Sequence, residues 1–219
     1  MLHPLRLLAL FLACALAAPV LSAAPEKWTA AIAKFTAADA VKAPAPGGIV
    51  FIGSSSIVRW TSLAQDFPGL PVINRGFGGS ELADSVFYAD RIVIPYRPKT
   101  VVLYAGENDA NVGKSVASIH ADFRAFVAKV HAALPETKIV YIGLKPSPSR
   151  WKHEAKFREL NALIAADCAK NPRLRFVDVW GPMLDAQGQP RPELFVKDML
   201  HMNPAGYTVW KPLVAAALK

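Results

Sequence analysis

Five short β-rich segments constrain the fold of this chain more than any other feature: Ile49 to Gly53, Val72 to Arg75, Thr100 to Ala105, Lys138 to Gly143 and Leu174 to Val179. Most are continuous apolar runs that lack the alternation of a half-exposed strand, the pattern of parallel strands covered on both faces. Parallel neighbours need long crossovers, and helical stretches lie between the segments. The clearest helix is expected from about Ser115 to Leu134, where Val116, Ile119, Phe123, Phe126, Val127, Val130 and Leu134 recur mostly three or four apart and Pro135 closes the run. Others are expected over Pro25 to Lys42, over Trp151 to Lys170, and from the Asn203-Pro204 cap through Leu218. Strands alternating with helices predict a doubly wound α/β sheet, in which ligands bind beyond the carboxyl ends of the strands.

The chain has 219 residues, 53% of them apolar, which suits one domain with a substantial core. Residues 1 to about 24 are read apart from it. Arg6 precedes an apolar run from Leu7 to Leu21, and Leu21-Ser22-Ala23-Ala24 supplies small residues for cleavage, so a removed secretory signal is expected. A retained anchor is the competing reading, disfavoured by Pro19 and by a run short of the roughly 20 residues a bilayer span needs. Lipid attachment at Cys14 fits less well, because Phe11-Leu12-Ala13 matches a lipoprotein signal poorly. Without the leader only Cys168 remains, so no internal disulfide can form, and its helical spacing from Phe157, Leu160 and Ile164 reads as a buried, inert thiol.

The net charge of +8 loses one unit with Arg6, so the mature chain stays basic and favours acidic surfaces such as an anionic envelope polymer or phospholipid head groups. Lys and Arg are scattered, with no dense basic tract or zinc-finger spacing, and nucleic-acid binding is not expected.

Four blocks fall just after strands. In Phe51-Ile52-Gly53-Ser54-Ser55-Ser56 a strand runs into a turn and then a helix expected to start near Ile57, exposing a serine hydroxyl; polar turn residues look the same. Asn74-Arg75-Gly76-Phe77-Gly78-Gly79-Ser80 lets the backbone approach a ligand, although a tight turn would also need those glycines. Glu81 stands where a dinucleotide fingerprint needs its third glycine. In Tyr104-Ala105-Gly106-Glu107-Asn108-Asp109 an amide can donate to a developing oxyanion without titrating. Asp198-Met199-Leu200-His201 places an acid and a histidine three residues apart, able to project together. His120, His131 and His153 lie in helical stretches and read as structural, and His3 belongs to the leader.

Each block is weak alone, but the ordered set resembles the SGNH hydrolases, also called the GDSL lipase and esterase family. Gly53-Ser54-Ser55 stands at the family's Gly-Asp-Ser, Gly79 at its second-block glycine, Gly106-Glu107-Asn108-Asp109 at Gly-x-Asn-Asp, and Asp198-x-x-His201 at Asp-x-x-His. The resemblance implies a three-layer, flavodoxin-like α/β/α sandwich with a five-stranded parallel sheet. It also implies Ser55 as nucleophile, His201 as general base and then acid, and Asp198 as its orienting partner. The Ser55 N–H, the Gly79 N–H and the Asn108 amide would form the oxyanion hole. Ser54 replaces the family's first-block acid, and Glu107 replaces a commoner small residue beside the oxyanion donor.

The expected activity is hydrolysis of carboxylic esters through an acyl-enzyme, with no metal or organic cofactor, by a secreted or periplasmic protein. Short loops leave little room for a lid, which favours short acyl groups such as acetyl esters of saccharides over lysophospholipids or thioesters. Ser54, Glu107 and Trp151 are expected along the substrate pocket, with Trp151, in Lys145-Pro146-Ser147-Pro148-Ser149-Arg150-Trp151, stacking on a sugar ring or merely packing. The rivals are a catalytically inactive carbohydrate- or phospholipid-binding module on the same fold, and a flavodoxin-like cofactor or phosphate binder. The oligomeric state is left open.

Overall fold

The computed structural model describes residues 25–219; the expected leader, with Cys14, lies outside the described residues. Five parallel strands, β1 (Ile49–Gly53), β2 (Val72–Gly76), β3 (Thr100–Tyr104), β4 (Lys138–Ile142) and β5 (Leu174–Val177), form a single sheet in the order β2-β1-β3-β4-β5. The chain winds to one side of β1 to make β2 and to the other to make β3, so the switch point of the sheet falls at β1. The register pairs Gly53 with both Gly76 and Tyr104. The segments that follow β1, β2 and β3 therefore emerge at one level, side by side.

Every residue of β1 and β3 is buried, as is β4 from Ile139 onward. Helices cover the sheet: α1 (Thr29–Val41), α2 (Ser55–Val58), α3 (Leu63–Asp66), α4 (Leu82–Ile92), α5 (Glu107–Asn111), α6 (Val116–Ala133), α7 (Glu154–Ala169) and α8 (Pro204–Ala217). The spacing on α6 does what it predicts: Ile119, Phe123, Phe126 and Val130 face the core, and Ser115 Oγ caps the helix by accepting the Ser118 N–H. Asn203 Oδ1 caps α8 in the same way, accepting from Ala205 and Gly206, while Pro204 occupies the first turn where its missing N–H costs nothing.

Some expected boundaries move. Ala105 and Val179 are fully buried yet lie beyond their strands, because burial rather than ladder pairing makes such residues apolar. The helix expected from Pro25 begins as a 3₁₀ turn over Pro25–Trp28, and the one expected from Trp151 is preceded by a 3₁₀ turn over Pro148–His153. The second turn stays 3₁₀ through His153, and the α-helix begins at Glu154. Cys168 is buried, and burial pushes its thiol up to about 12, as an inert packing residue requires. Among the described residues no helix is long and apolar enough to cross a membrane.

Candidate active site

The serine turn is shaped by backbone constraints. Gly53 leaves β1 at φ +141°, where a Cβ would lie 1.9 Å from the Tyr104 carbonyl oxygen, so no other residue fits this exit from the sheet. The Ser54 N–H then donates to the Tyr104 carbonyl at 3.0 Å, and the Ser54 carbonyl accepts from Ile57 and Val58, which sets Ser55 as the first residue of α2. Two side chains clamp the turn from outside: Asn74 Nδ2 donates to the Ile57 carbonyl at 2.6 Å, and the Tyr207 hydroxyl donates to the Ser56 carbonyl at 2.9 Å. Ser55 is left half-buried, with its hydroxyl facing the last of the four blocks.

That block folds around its own acid. Asp198 Oδ1 accepts the backbone N–H groups of Leu200 and His201, both at 2.9 Å, while Met199 takes a left-handed φ of +55° to close the turn. Oδ2 then meets His201 Nδ1 at 2.6 Å, and His201 Nε2 lies 2.9 Å from Ser55 Oγ. Burial alone would raise the Asp198 carboxyl, but the hydrogen bonds from the His201 ring and from the two backbone N–H groups outweigh it and hold the acid well below the usual carboxylate range. The carboxylate is thus ionised whenever the imidazole needs a partner. Acid, imidazole and hydroxyl form one hydrogen-bonded line suited to proton removal from Ser55.

The second and third blocks lie beside this line and are stitched to each other. A Cβ on Gly78 would stand 3.8 Å from the Ser55 Cβ, so the glycine loop runs alongside the serine turn. Gly79 is exposed, with φ +77°. Asn108, half-buried, donates one amide hydrogen to the Ser80 carbonyl at 2.9 Å and keeps a second for another acceptor. Asp109 accepts the Leu82 N–H at 3.1 Å. Its burial pushes the carboxyl up to about 6 against the opposing pull of Lys114. Lys114 also meets Glu81 at 2.8 Å and Asp122 at 3.3 Å. Burial would lower this ammonium, and the surrounding carboxylates instead raise it.

Of the three residues expected along the substrate pocket, Ser54 and Glu107 are placed differently. Ser54 is only 3% exposed and offers a substrate no surface. Glu107 turns into the core, where Lys145 Nζ meets it at 2.7 Å, the Tyr104 hydroxyl donates to it at 2.8 Å, and Ser147 lies at 3.5 Å. A carboxylate so enclosed must be paired, and pairing takes it out of reach of a ligand. Trp151 stacks on Trp180 with ring centroids 6.0 Å apart, the packing alternative. The helical histidines are structural, as expected for His120, which pairs with Asp167 at 2.7 Å, and His131, which meets the Thr137 carbonyl at 3.0 Å; the His153 ring packs against Phe157.

Lys145, Asn74 and Tyr207 are working parts of this region; the first two lie in segments singled out above without a role of their own, and Tyr207 in none of the four blocks. A lysine directly after a buried strand, level with a glutamate after its neighbour, is the signal that marks the first. Among the described residues no three His, Cys, Asp or Glu side chains gather closely enough to hold a metal ion.

The family model described as the GDSL-like Lipase/Acylhydrolase family matches residues 48–209. No curated protein sequence matches the chain. Solved structures do. A protein from Streptococcus pneumonia provisionally described as a platelet activating factor superposes with a TM-score of 0.78 at 20% identity, covering 89% of this chain and 94% of that one. A GDSL-like lipase from Bacteroides thetaiotaomicron follows with a TM-score of 0.71 at 20% identity, over 85% and 96% of the two chains. An acetyl-xylooligosaccharide esterase from Geobacillus Stearmophilus gives 0.62 at 16% identity, over 79% and 94%. These are likenesses of fold.

Proposed function

Because the chain belongs to the GDSL-like lipase/acylhydrolase family, we propose that it is a serine esterase acting through an acyl-enzyme on Ser55. The observation that carries this reading is the continuous line from Asp198 Oδ2 through His201 to Ser55 Oγ, at 2.6 and 2.9 Å. His201 Nε2 takes the hydroxyl proton as Ser55 Oγ attacks the ester carbonyl, and Asp198 holds the Nδ1–H and stabilises the imidazolium. The carbonyl oxygen gains negative charge and is met by the N–H groups of Ser55 and Gly79 and by the free amide hydrogen of Asn108. The tetrahedral adduct collapses as His201 returns the proton to the leaving alcohol. Water, deprotonated by the same imidazole, then attacks the acyl-Ser55 ester and releases the acid.

The substrates proposed are short-chain esters, acetyl groups on saccharides first among them. The fold shared with an acetyl-xylooligosaccharide esterase supports this reading. The Arg6–Ala24 leader pattern supports a secreted or periplasmic enzyme, where a basic surface would meet anionic envelope polymers or head groups.

A panel of esters of graded acyl length, assayed beside acetylated saccharides and lysophospholipids with the wild type and Ser55→Ala, tests the reading. Acetate release that disappears in the variant is the expected outcome. Fatty-acid release as the dominant reaction would replace the substrate class, and ligand retention without turnover would make the protein a binding module.

A further inference from the structure

The matched family region starts at residue 48, yet a side chain twenty positions earlier touches the site. Trp28 closes the 3₁₀ turn that leads into α1. Its indole reaches across to the glycine loop: a Cβ on Gly79 would stand 3.3 Å from the Trp28 ring carbon Cη2. The same ring meets Phe77 edge to face, with centroids 5.7 Å apart. Phe77 is buried, and its N–H donates to the Gly53 carbonyl at 2.8 Å at the root of the serine turn. On its other side the indole donates a hydrogen bond to Asp84, whose carboxylate accepts the Glu81 N–H at 2.9 Å and so caps α4 directly after the loop. One side chain therefore grips Phe77, Gly79 and Asp84, the two flanks and the middle of the segment whose backbone N–H faces the reacting carbonyl in the proposed mechanism.

Gly79 needs such support. It is exposed and sits at φ +77°, a conformation that glycine leaves at little cost, and it has no side chain of its own to anchor it. An oxyanion donor is effective only when it is already in place as charge develops, because reorganising it then would consume the stabilisation it provides.

We propose that Trp28 is a positioning residue for the oxyanion loop, supplied by the amino-terminal arm, and that it holds the Gly79 N–H in its working orientation. The inference rests on Ser55 being the nucleophile. Lys27 places its ammonium 4.6 Å from the indole centroid, so the arm covers the outer face of the ring as well.

The test compares Trp28→Ala and Trp28→Phe with the wild type and Ser55→Ala, using a short activated ester and a fluorophosphonate. Trp28→Ala is expected to lower kcat between about ten- and a hundredfold with KM within about twofold, since a misplacement of about 1 Å can cost two orders of magnitude in rate. The rate of fluorophosphonate labelling falls with it, while the final fraction labelled stays at that of the wild type. Trp28→Phe, which keeps the contact with Phe77, recovers part of the loss.

A purely structural role would read differently, as a reduced labelled fraction at an unchanged rate. That result, or a kcat within twofold of wild type in Trp28→Ala, overturns the inference. If Trp28→Ala does not fold, Trp28→Phe decides: a wild-type kcat and labelling rate overturn it. Activity that survives Ser55→Ala would instead remove the nucleophile assignment, and this inference with it.

Discussion

Three acid–base pairs in this protein have nearly the same separation and sit in very different surroundings. Asp198 and His201 are 2.6 Å apart with side chains 44% and 17% exposed; Glu107 and Lys145 are 2.7 Å apart at 6% and 1%; Asp90 and Lys129 are 2.6 Å apart with the acid 63% exposed. Distance alone would rank them equal. The first pair keeps contact with water and spends its geometry on aiming a titratable base at Ser55 Oγ. The second is enclosed by Tyr104 and Ser147 and joins the start of α5 to the segment after β4, so its charges hold the frame around Asn108. The third bridges α4 and α6 across solvent, where screening and side-chain entropy cancel most of the attraction. Burial, and what each base is pointed at, separates chemistry from architecture and both from decoration.

The largest effect should come from His201→Ala, which leaves the fold intact and lowers kcat/KM for a short ester by at least about a thousandfold, or about 4 kcal/mol of barrier. A melting point unchanged within a few degrees would confirm that the exposed pair serves the reaction. Next is Lys145→Met, which strands the Glu107 carboxylate in the core and should cost about 3–5 kcal/mol of stability in urea unfolding. A loss below about 1 kcal/mol would mean that the enclosed pair resembles the surface one.

Asp109→Asn probes the buried acid between blocks two and three. Its carboxyl is raised by burial from 3.8 to about 6, so the folded protein holds that proton more tightly than the unfolded chain. The stability it contributes is complete below about pH 4 and is lost as pH rises through about 6, by roughly 3 kcal/mol in all. Wild type should therefore lose stability relative to Asp109→Asn across that window; parallel curves in unfolding at stepped pH would contradict the account. Asp90→Asn should be the smallest, shifting stability by less than about 1 kcal/mol and leaving ester hydrolysis unchanged.

The sheet was legible because its strands are covered on both faces. Ile49–Gly53 and Thr100–Tyr104 are buried at every position, and buried parallel strands write themselves as unbroken apolar runs. The Asp198-x-x-His201 spacing was legible for a local reason, since the acid closes the turn that carries the histidine. Contacts made by distant segments were not. Glu107 and Lys145 lie 38 residues apart, and their places after adjacent strands mark them as partners only once the strand order is known. Trp28 reaches Gly79 from a turn that periodicity treats only as the start of a helix, and its role appears once tertiary structure brings the two together. Trp151 offered a sugar platform or a packing surface with equal ease, and Trp180 is the partner that a linear reading could not supply.

The most direct test of the central claim is intact-protein and peptide mass spectrometry after reaction with a fluorophosphonate, run on wild type and on His201→Ala. The account predicts one adduct per chain, located on Ser55 and formed far more slowly when the imidazole is removed. Labelling on Ser54 or Ser56, or a Ser55 adduct that forms at the same rate without His201, would contradict it.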